Sequence, residues 1–308
     1  MEEILNALVI GLANGLIIAL IAIGYTLVYG ILELINFAHG DVFMLGTAFT
    51  YFALNFIVDS LGFEASSSAA LMATFVALPV IMLMTAGINA GIERVAYRPL
   101  RNAPRLAPLI SAIGMSFILQ NVGLSILGPS ARALPPVLPG TTVISLPSGR
   151  SLIELNEVIV AAVTIPLLIA LAYFVSSTRQ GKAMRATAQD REAAGLMGID
   201  VNATIRNTFL IGGALAGAAG VVVAMFVGQT LWSFGFSFGL LAFTAAVLGG
   251  IGSITGAAVG GIVLGLIKAM SDFYMDTRWT NVVVFSLLIL VLIFRPTGLL
   301  GERQAEGA

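Results

Sequence analysis

The sequence predicts an all-α polytopic membrane protein of about eight to nine transmembrane or half-spanning helices, with broken helices and an inverted repeat. Three observations carry this prediction. First, 58% of the 308 residues are hydrophobic and only 10% are charged, against about 25% charge in soluble domains, and the mean hydropathy is +1.00. Second, the apolar residues fall in runs close to the ~20 needed to cross a ~30 Å hydrocarbon core. Third, the basic residues collect in a few connections between those runs.

The first run is about Leu5–Tyr29, and the second is about Asp41–Val58. Asp59–Ser67 is a polar turn, and a third span follows over about Ser68–Ile92. Glu93–Arg101 is polar, with Arg105 just beyond, and the fourth span is about Leu106–Leu127. The stretch 128–157 holds Pro129, Pro135, Pro136, Pro139 and Pro147 and is expected to be an outer loop. The fifth span, about Val158–Ser176, ends at a second basic stretch, Arg179–Arg206. The remaining spans are about Asn207–Val227, Phe238–Gly250, Thr255–Met270 and Asn281–Phe294. The seventh, at about 13 residues, is too short to cross as a full helix. The whole of 1–308 is expected to form one integral membrane domain. Gly213/Gly217, Gly252/Gly256/Gly260 and Gly261/Gly265 are four-residue repeats expected to let helix backbones approach closely.

Charge sets the orientation. Arg94, Arg98, Arg101 and Arg105, then Arg179, Lys182, Arg185, Arg191 and Arg206, then Arg295 and Arg303, account for eleven of the fifteen basic residues. Cytoplasmic loops carry such excess, so 93–105, 179–206 and the tail belong in the cytoplasm and the acidic N-terminus outside. Met1-Glu2-Glu3 has no positive n-region, so no cleaved signal peptide is expected. A bacterial-type inner membrane fits this pattern.

One stretch interrupts the apolar runs: Leu32-Glu33-Leu34-Ile35-Asn36-Phe37-Ala38-His39-Gly40-Asp41, with the chain's sole histidine. In lipid every backbone polar group must be satisfied internally. The stretch is therefore either an interfacial turn, with Asn36 or Asp41 as a cap, or an unwound segment buried beside a translocation path. Phe37-Ala38-His39-Gly40-Asp41 is echoed by Phe236-Ser237-Phe238-Gly239-Leu240, each after a long helix and crossing in opposite senses. The expected path residues are Asn36, Phe37, His39, Gly40, Asp41, Phe236, Gly239 and Thr244.

Other chemistry is excluded or disfavoured. The absence of cysteine removes disulfides, thiolate metal sites and cysteine nucleophiles. One histidine makes a metal site unexpected. Gly181-Lys182 is followed by Ala183, not Ser or Thr, so there is no phosphate loop. Nothing in the sequence places Ser111 or Ser116 beside His39 for hydrolase chemistry, and no basic tail points to nucleic acid. The expected surroundings are lipid.

The stretch Arg179–Ile199 is rich in helix formers, with Ala183, Ala186, Ala193 and Met197 near one helical stripe and Leu196 beside it. It is expected to form a cytoplasmic helix over Arg185–Gly198, whether as a docking element or as a solvated linker. Glu192-Ala193-Ala194, then three residues, then Gly198 resembles the EAA–Gly coupling loop of bacterial ABC-importer permeases. The downstream Ile-x-Leu-Pro of that loop is absent: Thr208 and Leu210 lie near the positions, and no proline follows. A fuller resemblance is to branched-chain amino acid importer permeases of the LivH type. It rests on Ile35–Asp41, Ile92–Pro99, Leu109–Ser116 and Phe243–Ser253, in order and across essentially the whole chain.

The resemblance implies a non-catalytic membrane subunit of an ABC importer. A second permease subunit, two cytoplasmic ATPases holding ATP and Mg²⁺, and a periplasmic binding protein would be its partners, with no cofactor in this chain. Arg185, Asp190, Glu192, Ala193, Ala194 and Gly198 would form the ATPase coupling helix. Branched-chain or hydrophobic amino acids are the implied cargo, with urea or short amides as the alternative. An ion-coupled transporter using Glu33, His39 or Asp41, or a passive channel, would have no use for such a loop.

Overall fold

The computed structural model describes residues 2–101, 103–104, 106–137, 141–145, 151–295 and 297–301; Met1, Arg105, Pro139, Pro147 and Arg303 lie outside the described residues. The membrane-length helices are α1 (Glu2–Leu32), α2 (Ala38–Asn55, prolonged by a π-turn over Phe56–Ser60), α3 (Ser68–Ile92), α4 (Leu106–Leu127) and α5 (Leu155–Ser177). Two short helices follow, α6 (Arg179–Gln189) and α7 (Arg191–Leu196). Then come α8 (Val201–Val227), α9 (Phe234–Gly249), α10 (Ile254–Tyr274) and α11 (Thr280–Phe294). Among the described residues eight helical segments are long and apolar enough to cross a membrane, and α9 is too short.

The bounds follow from local chemistry. Side-chain oxygens of Ser67, Thr178, Asp190, Asp200 and Ser253 accept N–H bonds that open α3, α6, α7, α8 and α10. Glu154 and Glu157 form a reciprocal capping box on α5. Asp200 starts α8 six residues before the expected Asn207, because a cap outweighs the polar composition of Val201–Arg206. The expected continuous helix Arg185–Gly198 is broken at Asp190, whose extended backbone (φ −156°) ends α6 while its carboxylate caps α7. The apolar stripe read across that stretch therefore does not continue from one helix to the next.

The core is built from α1 and α8, each buried over about two thirds of its most apolar window. Both pack antiparallel on a partner through small residues. Along α1, a Cβ on Gly15 would lie 2.8 Å from Ile262 Cα of α10. Along α8, a Cβ on Gly213 would lie 2.7 Å from Thr85 O of α3. Such spacing admits only glycine. Gly252 does not belong to this packing: it is a loop residue at φ +95° with open space beside it.

The packing pattern is two-fold. Helix α1 packs on α10 and α9, as α8 packs on α3 and α2; α2 meets α9, and α4 covers α2 as α11 covers α9. Exchanging α1–α2–α3 for α8–α9–α10 maps the pattern onto itself. One end of the bundle carries α6, α7 and the Arg98–Leu100 turn. The tail lies there too: Leu299 and Leu300 donate N–H bonds to Leu248 and Gly249 at 2.8 and 2.9 Å. The opposite end carries a hairpin, β2 (Thr142–Ser145) on β3 (Ser151–Glu154), and a short ladder, β1 (Arg132–Ala133) on β4 (Gln229–Thr230).

Candidate functional site

Two re-entrant breaks sit in this frame. Helix α1 stops at Leu32, where Glu33 adopts a left-handed φ of 54°. The chain then turns back into the bundle, and α2 starts at Ala38 with no side-chain cap. His39 lies against Gly24 and Tyr25, about 12 Å back along α1 from Leu32 at 1.5 Å per residue. The symmetry-related return runs from Gly228, at the far end of α8, to Phe234. With α9 it carries the chain back to the basic end, so the short helix and its return together make a pass.

The first break is held by side chains of α1 and α3, by Tyr97 just beyond α3, and by a backbone carbonyl of α8. Asn36 is 1% exposed; it donates from Nδ2 to Asn89 Oδ1 (3.4 Å) and accepts at Oδ1 from the Tyr97 hydroxyl (3.1 Å). Asn89 in turn donates to the Phe209 carbonyl of α8 at 2.7 Å. The Gly40 N–H donates to the Tyr25 hydroxyl at 3.1 Å. The His39 ring stands edge-on to Tyr25, centroids 4.8 Å apart. Neither His39 nitrogen has a hydrogen-bond partner among the described residues.

At the same depth the first turns of α2 and α9 meet. A Cβ on Gly40 would lie 3.1 Å from Gly239 Cα, with Gly235 O closer still. Two helix N-termini, each with a partial positive charge, thus converge. Asp41, in the first turn of α2 and against Gly235, supplies the negative charge that offsets both. The Ser116 hydroxyl of α4 donates to Asp41 Oδ2, and Gln120 Nε2 donates to Ser116 Oγ at 3.1 Å.

The expected path residues divide into two groups. Asn36 and Phe37 lie in the break, whereas His39, Gly40 and Asp41 belong to the opening turn of α2, so the unwound segment is shorter than Asn36–Asp41. Gly239 touches Gly40, but Phe236 turns outward and is 64% exposed. Phe37 packs on Phe243 at 6.2 Å. Thr244 is fully buried and donates to the Leu240 carbonyl of its own helix at 2.9 Å. Ser116 pairs with Asp41 and not with His39. Sequence reasoning missed Tyr25, Asn89, Tyr97 and Gln120; a polar residue inside an apolar run was the available signal.

The basic end is a second candidate site. Asp190 accepts from the N–H groups of Glu192 and Ala193 at 2.8 and 2.9 Å. Ala194 is buried, while Glu192, Ala193 and Gly198 are exposed. Leu196 and Met197 are 84% and 83% exposed. Gly198 turns the chain at φ +84°. Arg185 donates to the Val175 and Ser176 carbonyls at the end of α5. Arg191 donates to Ile31 O at the end of α1 (2.9 Å). Arg101 joins Glu93 to Asn202 at the start of α8; burial lowers the pKa of its guanidinium, and Glu93 opposes that shift. A cavity of about 270 Å³ lies between α6–α7 and the first break.

Residues 7–292 match the family described as branched-chain amino acid transport system / permease component. The chain is 44% identical to the high-affinity branched-chain amino acid transport system permease protein BraD of Pseudomonas aeruginosa, over 98% of this chain and 97% of that one. It is 43% identical to the LivH proteins of Salmonella typhimurium and Escherichia coli, over 96% of this chain and 95% of each. No solved structure matches it at a significant level. With re-entrant helices meeting at mid-bundle and a family match over almost its whole length, the chain belongs to the branched-chain amino acid transport permease family.

Proposed function

We propose that this chain is one of two membrane subunits of an ATP-driven importer in a bacterial-type inner membrane, carrying branched-chain amino acids. A binding protein delivers the amino acid at the N-terminal, outer side. A second permease subunit pairs with this one, and two ATPases holding ATP and Mg²⁺ bind the basic, cytoplasmic end. The chain contributes no catalytic group.

The observation that supports this reading most directly is the α6–α7 element. Leu196 and Met197 project almost fully exposed from a helix whose other side is fastened to the bundle. An apolar pair of this kind at a polar membrane face suits a groove in a soluble partner. Motion imposed there reaches α1 through the Arg191–Ile31 bond and α8 through Asp200. Those are the two inner helices that lead into the re-entrant breaks.

The test is reconstitution of the assembled complex in vesicles. Leucine, isoleucine or valine, added with the binding protein, is expected to stimulate ATP hydrolysis and accumulate inside. Stimulation by urea or a short amide alone would reassign the cargo. Uptake that follows an ion gradient without ATP would refute the importer. Gly198→Trp is expected to leave ATP hydrolysis but abolish uptake; normal uptake in that variant would refute the docking role.

A further inference from the structure

The end of α1, the connection from α3 to α4 and the α6–α7 element meet around the cavity of about 270 Å³ at the basic end. That volume lies just under the ~300 Å³ at which small-molecule sites usually begin, so a ligand of amino-acid size fits it. Its floor is apolar and buried: Ile31 and Leu32 close α1, and Pro108 belongs to the first turn of α4. Its mouth is polar. Glu33 and Gln189 are exposed there, and Arg101 and Arg191 are half-buried.

Two residues that line this cavity carry a buried polar atom without a partner. Thr187 is 1% exposed, and its Oγ1 has no hydrogen-bond partner among the described residues. A helical threonine can turn its hydroxyl to the carbonyl four residues back, as Thr208 of α8 does to Thr204 at 2.9 Å. Thr187 does not. The second atom is Arg101 Nε. The two terminal nitrogens of that guanidinium go to Glu93 and Asn202, and Nε, which can only donate, is left over. Buried polar groups are normally satisfied, so two exceptions around one cavity point to a ligand that supplies the missing acceptor. Arg191 brings a further positive charge from α7, with one nitrogen on Ile31 O. Glu33 brings a carboxylate.

We propose that this cavity is a cytoplasmic regulatory site for a free zwitterionic amino acid with an apolar side chain, through which accumulated cargo slows its own import. This inference rests on the importer reading above. The ligand carboxylate accepts from Thr187 Oγ1, Arg101 Nε and the Arg191 guanidinium, a charge-assisted set. Its ammonium lies at Glu33, whose carboxylate has lone pairs for more than one donor. Its side chain rests on Leu32, Leu34 and Pro108. An inorganic anion would meet the Glu33 carboxylate as well as the two guanidinium groups, and would leave the apolar floor uncovered. A molecule so held ties the end of α1, the α3–α4 connection and α6–α7 together. It binds only the arrangement in which the three are close, and so opposes the movement of α6–α7 that drives transport.

The test uses the assembled complex in vesicles, with the ATPases and ATP inside and the binding protein and labelled isoleucine outside. Vesicles preloaded with leucine are expected to show a several-fold lower initial uptake than vesicles without internal amino acid. Preloading with N-acetylleucine, which lacks the ammonium, or with inorganic phosphate is expected to have no such effect. Thr187→Val keeps the shape and removes the hydroxyl. Its uptake without internal leucine is expected to match the native complex, while about tenfold more internal leucine is needed for the same inhibition, as for a lost hydrogen bond to a charged group. Glu33→Gln is expected to weaken the inhibition likewise. Either variant inhibited at the native leucine concentration would overturn the proposal. Equal inhibition by phosphate or N-acetylleucine would also overturn it, as the mark of a plain anion site. ATP-driven uptake indifferent to internal leucine refutes the regulatory site alone, and no ATP-driven uptake into vesicles without internal amino acid refutes the importer.

Discussion

Replacing Gly40 by alanine tests the meeting of α2 and α9 directly. The added methyl would sit 3.1 Å from Gly239 Cα and 3.0 Å from the Tyr25 hydroxyl, with Gly235 O closer still. Two of these three neighbours are backbone, so α9 must move. Overpacking of this kind costs about 1–3 kcal/mol. Separating the helices also strains the Gly40 N–H bond to Tyr25, worth about 1 kcal/mol. Against this, alanine is better than glycine in a helix by about 1 kcal/mol. The net expectation is a destabilisation of about 1–3 kcal/mol, or roughly 5- to 150-fold in the folded ratio. Gly87→Ala is the matched control: it is also helical, has open space around its Cβ, and is expected to stabilise by up to about 1 kcal/mol. Thermal unfolding of both variants in the same detergent is the assay. A Gly40→Ala protein as stable as the native one, or an equal loss in Gly87→Ala, would refute the close crossing.

Other expectations follow from the same geometry. Tyr97→Phe leaves the buried Asn36 oxygen without its donor and is expected to cost about 1–3 kcal/mol, read as a lower unfolding temperature; an unchanged temperature would show that the break is not held there. Asp190→Ala removes the two N–H bonds that open α7, a loss of about 1 kcal/mol. Faster hydrogen exchange over 192–196 with normal exchange in α8 is expected. Glu3→Cys is expected to react with an impermeant reagent on intact cells; reaction only after the cells are broken would reverse the proposed orientation.

Hydropathy and punctuation determined much of the architecture. The bounds expected for Ser68–Ile92 and Leu106–Leu127 agree with α3 and α4 to the residue, because a membrane helix is set by its own apolar length and the polar residues at its ends. The echo between Phe37–Asp41 and Phe236–Leu240 pointed to two helices that the structure brings together at Gly40 and Gly239. The echo was legible because glycine is required wherever two backbones touch. Tertiary structure alone decided which side chains face one another. Asp41 belongs with Ser116, 75 residues away, and Asn36 with Asn89 and Tyr97; pairings over such separations leave no local periodicity. It also decided that Phe236 points outward while Gly239 meets Gly40, because packing against α2, and not the local sequence, fixes which part of α9 is covered. The break at Asp190 has the same origin. Composition favoured one long helix, and the carboxylate's bonds to two N–H groups, with Arg191 fastened to α1, made two short ones the better solution.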